Sequence, residues 1–121
     1  MLELQINKMK IDETTRVNLL YNFYHSLLTK KQSRYIELYY VEDFSLSEIS
    51  EQLKVSRQAV LDNLHRTVNS LESFEQELGL IKKTTEIDDI ADTLQTLVEK
   101  KYSNDKELLD LVQRILKINE N

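Results

Sequence analysis

The chain has 121 residues, no cysteine and a formal net charge of −5. That length suits one domain with a core of its own. The missing thiols exclude a disulfide framework, a zinc knuckle and a thiol nucleophile, and the acidic balance excludes any general pull toward nucleic acid.

One glycine and no proline suit helix interiors and not hairpin turns, so an all-α fold is expected. The apolar runs are too short to span a membrane. The opening MLELQINKMKIDE lacks the apolar block of a signal peptide, so a cytoplasmic protein is expected.

Six helices follow from periodicity and start signals. The first is predicted over 14–28, with Val17, Leu20, Tyr24, Leu27 and Leu28 at helical spacing. Thr29 and Gln32 fit a capping box that opens a second helix to Glu42, with Tyr35, Ile36, Leu38, Tyr39 and Tyr40 as inward candidates. Ser45 and Glu48 form another box, opening a short helix with Leu46, Ile49 and Leu53 on one face. Ser56 is the N-cap of the fourth, which buries Val60, Leu64, Val68 and Leu71. If it continues through Phe74 to Leu78 before stopping at Gly79, it is about 33 Å long.

LIKKTTE is the expected joint, with Thr84 or Thr85 capping a fifth helix striped by Ile87, Ile90, Ala91, Leu94, Leu97 and Val98. YSNDK breaks it, and Ser103 or Asn104 starts a last helix carrying Leu108, Leu111, Val112, Ile115 and Ile118. The expected organisation is a core over 14–78 and a C-terminal helical segment over 84–121. The two apolar stripes of that segment need cover, from the core or from a second copy in a homodimer.

The stretch SLSEISEQLKVSRQAVLDNLHR, residues 45–66, reads as a helix-turn-helix. Ile49, Leu53, Val55, Val60 and Leu64 are spaced to lock two helices at a wide angle. The outer side of the second helix then carries Arg57, Gln58, Leu61, Asp62, His65 and Arg66. Arginine forks onto guanine and glutamine onto adenine, and Ser56 with the free amides of the helix start suits a phosphate. Lys30, Lys31 and Arg34 are candidates to grip a neighbouring phosphate strand. An ordinary solvated helix end explains each group equally well as chemistry. Lys54 occupies the turn, where a positive φ costs about 1–2 kcal/mol. Asp62 either accepts from a cytosine amino group or repels phosphate. Residues 45–78 hold three basic and six acidic side chains, which disfavours strong nonspecific binding.

LTKKQSRYIELYYVEDFSLSEISEQLKVSRQAVLDNLHRT, with YNFYHSLLT ahead of it, resembles region 4 of bacterial sigma factors. It is more closely similar to the YlxM-type family of small helix-turn-helix proteins, over about residues 14–80. IELYY and VSRQAVLDN are its most specific parts. The resemblance implies a sigma-region-4-like all-α fold with a long fourth helix and two C-terminal helices. It also implies a regulatory role linked to the signal recognition particle, whose protein component is typically encoded nearby. Ser56, Arg57, Gln58, Asp62 and Asn63 match the recognition-helix pattern, and Lys54 departs from the glycine common at the turn.

The aromatics from Tyr21 to Phe44 have the spacing of core residues. His25 and His65 stand alone, and Glu86, Asp88, Asp89 and Asp92 complement a helix dipole, so no metal or cofactor is expected. No catalytic triad or glycine-rich phosphate loop is present, and an enzyme is not expected. Two functions remain: a DNA-binding regulator, or a protein-interaction module that docks on a component of the signal recognition particle.

Overall fold

The computed structural model describes the backbone of residues 2–118 and the side chains of residues 12–118. Among these it is all-α, with six α-helices and no strand: α1 (Leu2–Tyr24), α2 (Lys30–Ile36), α3 (Leu46–Leu53), α4 (Arg57–Leu78), α5 (Leu80–Lys101) and α6 (Lys106–Ile118). A 3-10 turn over His25–Leu27 follows α1, and a wider π turn over Glu37–Val41 extends α2. The chain divides into two compact units, Met1–Leu78 and Gly79–Asn121. No described helix is long and apolar enough to cross a membrane.

The start signals act as expected wherever a polar side chain reaches a free amide. Thr29 Oγ1 accepts from the Gln32 amide at 3.1 Å, and Gln32 Oε1 accepts from the Thr29 amide at 3.0 Å. Ser45 and Glu48 make the same reciprocal pair at 3.1 Å each. Ser56 Oγ accepts from the Ala59 amide at 3.0 Å. These bonds satisfy amides that an isolated helix leaves bare.

Several expected boundaries are corrected. The first helix is not 14–28: its α part begins at Leu2 and gives way to the 3-10 turn after Tyr24, leaving Leu27 53% exposed. The second does not run as α-helix to Glu42, because the π turn widens it after Ile36 and turns Tyr39 outward. LIKKTTE is not a joint. Gly79, at φ +62, ends α4, and its carbonyl already accepts the Lys83 amide at 3.0 Å, so α5 starts at Leu80. The last helix is capped by Asp105, whose Oδ1 accepts the Leu108 amide at 3.1 Å, and not by Ser103 or Asn104.

The core of the first unit joins Val17 of α1, Tyr35 and Ile36 of α2, Leu38 of the π turn, Ile49 of α3, and Val60 and Leu64 of α4. α4 is unbroken over 22 residues, and its later turns pack on α1. Arg16 holds Glu72 with two nitrogens, Nε to Oε1 at 3.0 Å and Nη2 to Oε2 at 2.8 Å. Tyr24 donates to Glu75 and its ring meets Phe74. Between them, Thr67 is fully buried, and its hydroxyl has no hydrogen-bond partner among the described residues.

The α3–α4 turn closes through backbone. Lys54 is left-handed at φ +56 and ψ +47, and the Val55 amide returns to the Ser50 carbonyl at 3.1 Å. Ser50 Oγ donates to the Val55 carbonyl at 2.7 Å. This is a Schellman-type closure made with lysine where glycine is the unstrained choice.

Three outcomes are expected from this packing. Lys54→Gly relieves a left-handed L-residue and raises stability by about 1 kcal/mol; an unchanged or lower urea midpoint contradicts the strain. Thr67→Val keeps the volume and removes the unpaired hydroxyl, for a gain of about 1 kcal/mol, read by the same titration.

The third concerns acid. The hydrogen bonds from Arg16 hold the Glu72 carboxyl below its ordinary value of 4.5. A depressed carboxyl adds stability above the unfolded value and loses it as pH falls through the folded one. The two side chains are 42% and 45% exposed, so the effect is small. Arg16→Gln is therefore expected to lower the thermal midpoint near neutral pH, with the difference from wild type closing as pH drops below 4.5.

Candidate nucleic-acid interface

The first two turns of α4 are set by what they bury. Val60 and Leu64 are in the core, and at 3.6 residues per turn the half of the helix facing away from them carries Gln58, Asp62, His65 and Arg66. Leu61 stands on one flank of that half, and Arg57, in phase with Val60 and Leu64, is exposed because it opens the helix. Arg57, Gln58, His65 and Arg66 are exposed, and Leu61 and Asp62 are half-buried. Lys54 and Ser56 are exposed at the turn.

Asp62 has a partner within the helix. Gln58 Nε2 donates to Asp62 Oδ1 at 2.9 Å, an i,i+4 pair of the kind that stabilises a helix surface. One amide hydrogen of Gln58 is thereby occupied, while its carbonyl oxygen and second hydrogen remain available. Asn63 lies on the opposite flank, half-buried, with Nδ2 donating to the Ala59 carbonyl at 3.0 Å. It supports the helix and is turned away from the outer face.

Charge along the motif is not evenly spread. Between residues 54 and 66 stand Lys54, Arg57 and Arg66 against the single carboxylate of Asp62. The other acids of residues 45–78 are Glu48 and Glu51 on α3, and Glu72, Glu75 and Glu77 in the last two turns of α4. Residues 54–66 are thus a locally basic stretch of sequence inside an acidic chain, with Arg57 and Arg66 on opposite sides of α4.

The cations of α2 form a separate group. Lys30 and Arg34 line a shallow groove of about 360 Å³ with His25, Ser26, Leu28, Ser33 and Glu37. No residue of α4 borders it. Lys31 is exposed beside it and does not line it. His65 borders a different groove with Glu13, Tyr40, Val68 and Asn69. There the Tyr40 hydroxyl is pushed up to about 12, first by burial and then by the nearby Glu13 carboxylate. Tyr40 therefore stays neutral at physiological pH.

Two contributors escape sequence reasoning. Ser50 fastens the turn through its hydroxyl, and only its place one helical turn ahead of the αL residue Lys54 hints at that. Arg16 braces α4 from 56 residues away, a pairing that no local pattern carries.

Comparison with known proteins agrees with this architecture. Residues 11–114 match the UPF0122 model, which describes YlxM/p13-like helix-turn-helix proteins. The UPF0122 protein of Anoxybacillus flavithermus is 47% identical over 108 residues, covering 89% of this chain and 98% of the relative. The UPF0122 protein of Geobacillus kaustophilus is 46% identical over 105 residues, covering 87% and 96%. That of Listeria innocua is 41% identical over 107 residues, covering 88% and 97%. With its capped helix pair and a family match over most of its length, the chain belongs to the UPF0122 family of YlxM/p13-like helix-turn-helix proteins.

Proposed function

We propose that the protein is a cytoplasmic DNA-binding regulator, a binding module and not an enzyme, built on a helix-turn-helix like that of sigma factor region 4. In this reading α4 enters the major groove. Arg57 and Gln58 reach base edges, while Ser56 and the first amides of α4 take a phosphate. Lys54 reaches the DNA backbone, and Leu61, Asp62, His65 and Arg66 line the groove wall. Lys30, Lys31 and Arg34 hold phosphates at a second point, and a homodimer presents two copies of α4 to paired half-sites. The observation that carries the reading is the exposed Arg57–Gln58 pair in the capped first turn of α4, within a stretch of sequence, residues 54–66, that holds three cations and one carboxylate.

A second reading is favoured by the acids that surround that stretch. A weakly basic helix-turn-helix in a chain of net charge −5 suits an accessory factor that docks on a component of the signal recognition particle. The same outer face, or the C-terminal helices, then meets protein or its RNA and not duplex DNA.

One comparison separates the two. Fluorescence polarisation on DNA from the protein's own promoter region is expected to give affinity that falls steeply with salt. Arg57→Ala is expected to weaken it by about 1–3 kcal/mol, roughly five- to 150-fold. Binding unchanged by that substitution sinks the groove reading. Retention of the particle's protein and RNA on the immobilised chain, without specific DNA binding, establishes the second.

A further inference from the structure

The Gly79–Asn121 unit leaves a wide apolar face open. On α5, Ala91 and Val98 are buried while Ile87, Ile90 and Leu97 are exposed, Ile90 at 69%. On α6, Val112 is buried while Leu111, Ile115 and Ile118 are exposed, Ile118 at 81%. The short connection of Tyr102–Asp105 makes these packed helices antiparallel, and helical phase then puts both exposed stripes on one side of the hairpin. Ile90, Thr93, Leu94 and Leu97 with Asp89 form a groove of about 400 Å³ along that side.

The spacing along α5 is that of a coiled-coil seam. Leu80, Ile87 and Leu94 fall at a positions, Ile90 and Leu97 at d positions, and the buried Ala91 and Val98 at e. The free flank, the g positions, carries Glu86, Thr93 and Lys100. That triplet is self-complementary when reversed. Two antiparallel copies of α5 related by a two-fold axis at Thr93 place Glu86 of each beside Lys100 of the other. The same register stacks Ile87 on Leu97 and Ile90 on Leu94, four apolar layers in all. Lys83 and Lys101 follow in phase and end the seam at both sides, where their long stems carry the ammonium groups to water. At the axis, the Thr93 hydroxyl already donates to the Asp89 carbonyl at 3.0 Å, so a small side chain with no unmet donor meets its own copy.

We propose that the occupant of this face is a second copy of the chain, with α5 pairing antiparallel on α5 about Thr93 and the Glu86–Lys100 contacts setting the register. The pairing rests on the homodimer reading and not on DNA binding, and it is measured without DNA.

The chain lacks cysteine, so Thr93→Cys in the full-length protein supplies a single thiol per copy. A short bis-maleimide is expected to link Thr93→Cys into a covalent dimer and to leave Asp92→Cys, exposed on the side of α5 away from the seam, unlinked. In sedimentation, the wild type is expected to dimerise with concentration. Glu86→Lys and Lys100→Glu are each expected to weaken the dimer roughly tenfold, since each puts like charges together twice. The double exchange restores opposite pairs and is expected to return the wild-type affinity. A wild type that stays monomeric overturns both the homodimer and the pairing. A dimer in which Asp92→Cys links as readily, or the double exchange fails to recover, overturns the pairing alone.

Discussion

The left-handed backbone at Lys54 is the constraint on which the candidate recognition surface depends. It reverses the chain within a few residues, so that Ile49 of α3 and Val60 and Leu64 of α4 enter one core. Ser50 holds that reversal twice, by its carbonyl on the Val55 amide and by its hydroxyl on the Val55 carbonyl. With the turn fixed, the phase of α4 follows. The outward half of its first turns begins with Gln58, and Arg57 lies exposed beside it where the helix opens. A turn of other geometry would rotate α4 and bury a different set of side chains.

The second support of α4 is distant in sequence. α1 braces its later turns through Arg16 on Glu72 and Tyr24 on Glu75. This explains why a helix of 22 residues is useful where a groove-reading helix is much shorter: the first half presents side chains and the second half anchors them. It also explains the distribution of charge. The carboxylates of Glu72 and Glu75 are engaged where α4 is a structural strut, while the basic side chains gather where it is free.

Most of the architecture was legible because helix starts are local events. Thr29, Ser45 and Ser56 each reach an amide three residues on, and a sequence displays that spacing directly. The core face of α4 was legible for a similar reason, since Val60, Leu64 and Leu71 repeat at helical intervals. What was not legible involved choices among equivalent signals. Ser103, Asn104 and Asp105 are all cap formers, and only the geometry of the turn selects Asp105. Thr84 and Thr85 resemble caps but lie inside α5, because the single glycine at φ +62 lets a new helix begin at once. The π turn at Glu37–Val41 leaves no mark in composition, so the outward swing of Tyr39 came unannounced. On the candidate site, exposure of Gln58 followed from phase, whereas Arg57 shares the phase of Val60 and Leu64 and is exposed because it opens the helix. The bond of Gln58 to Asp62 was present in their i,i+4 spacing, although Asp62 read first as a liability.

The bracing by α1 has a kinetic side. Turns and caps close over three to six residues, and the α3–α4 pair needs little more, so these parts can form early in folding, with no proline isomerisation to slow them. Arg16–Glu72 and Tyr24–Glu75 span 56 and 51 residues, and closing so long a loop carries the larger entropy loss. Contacts of α1 with the second half of α4 are then expected to form after the α3–α4 pair. The exposed face of α4's first turns then takes shape before the strut that anchors its second half.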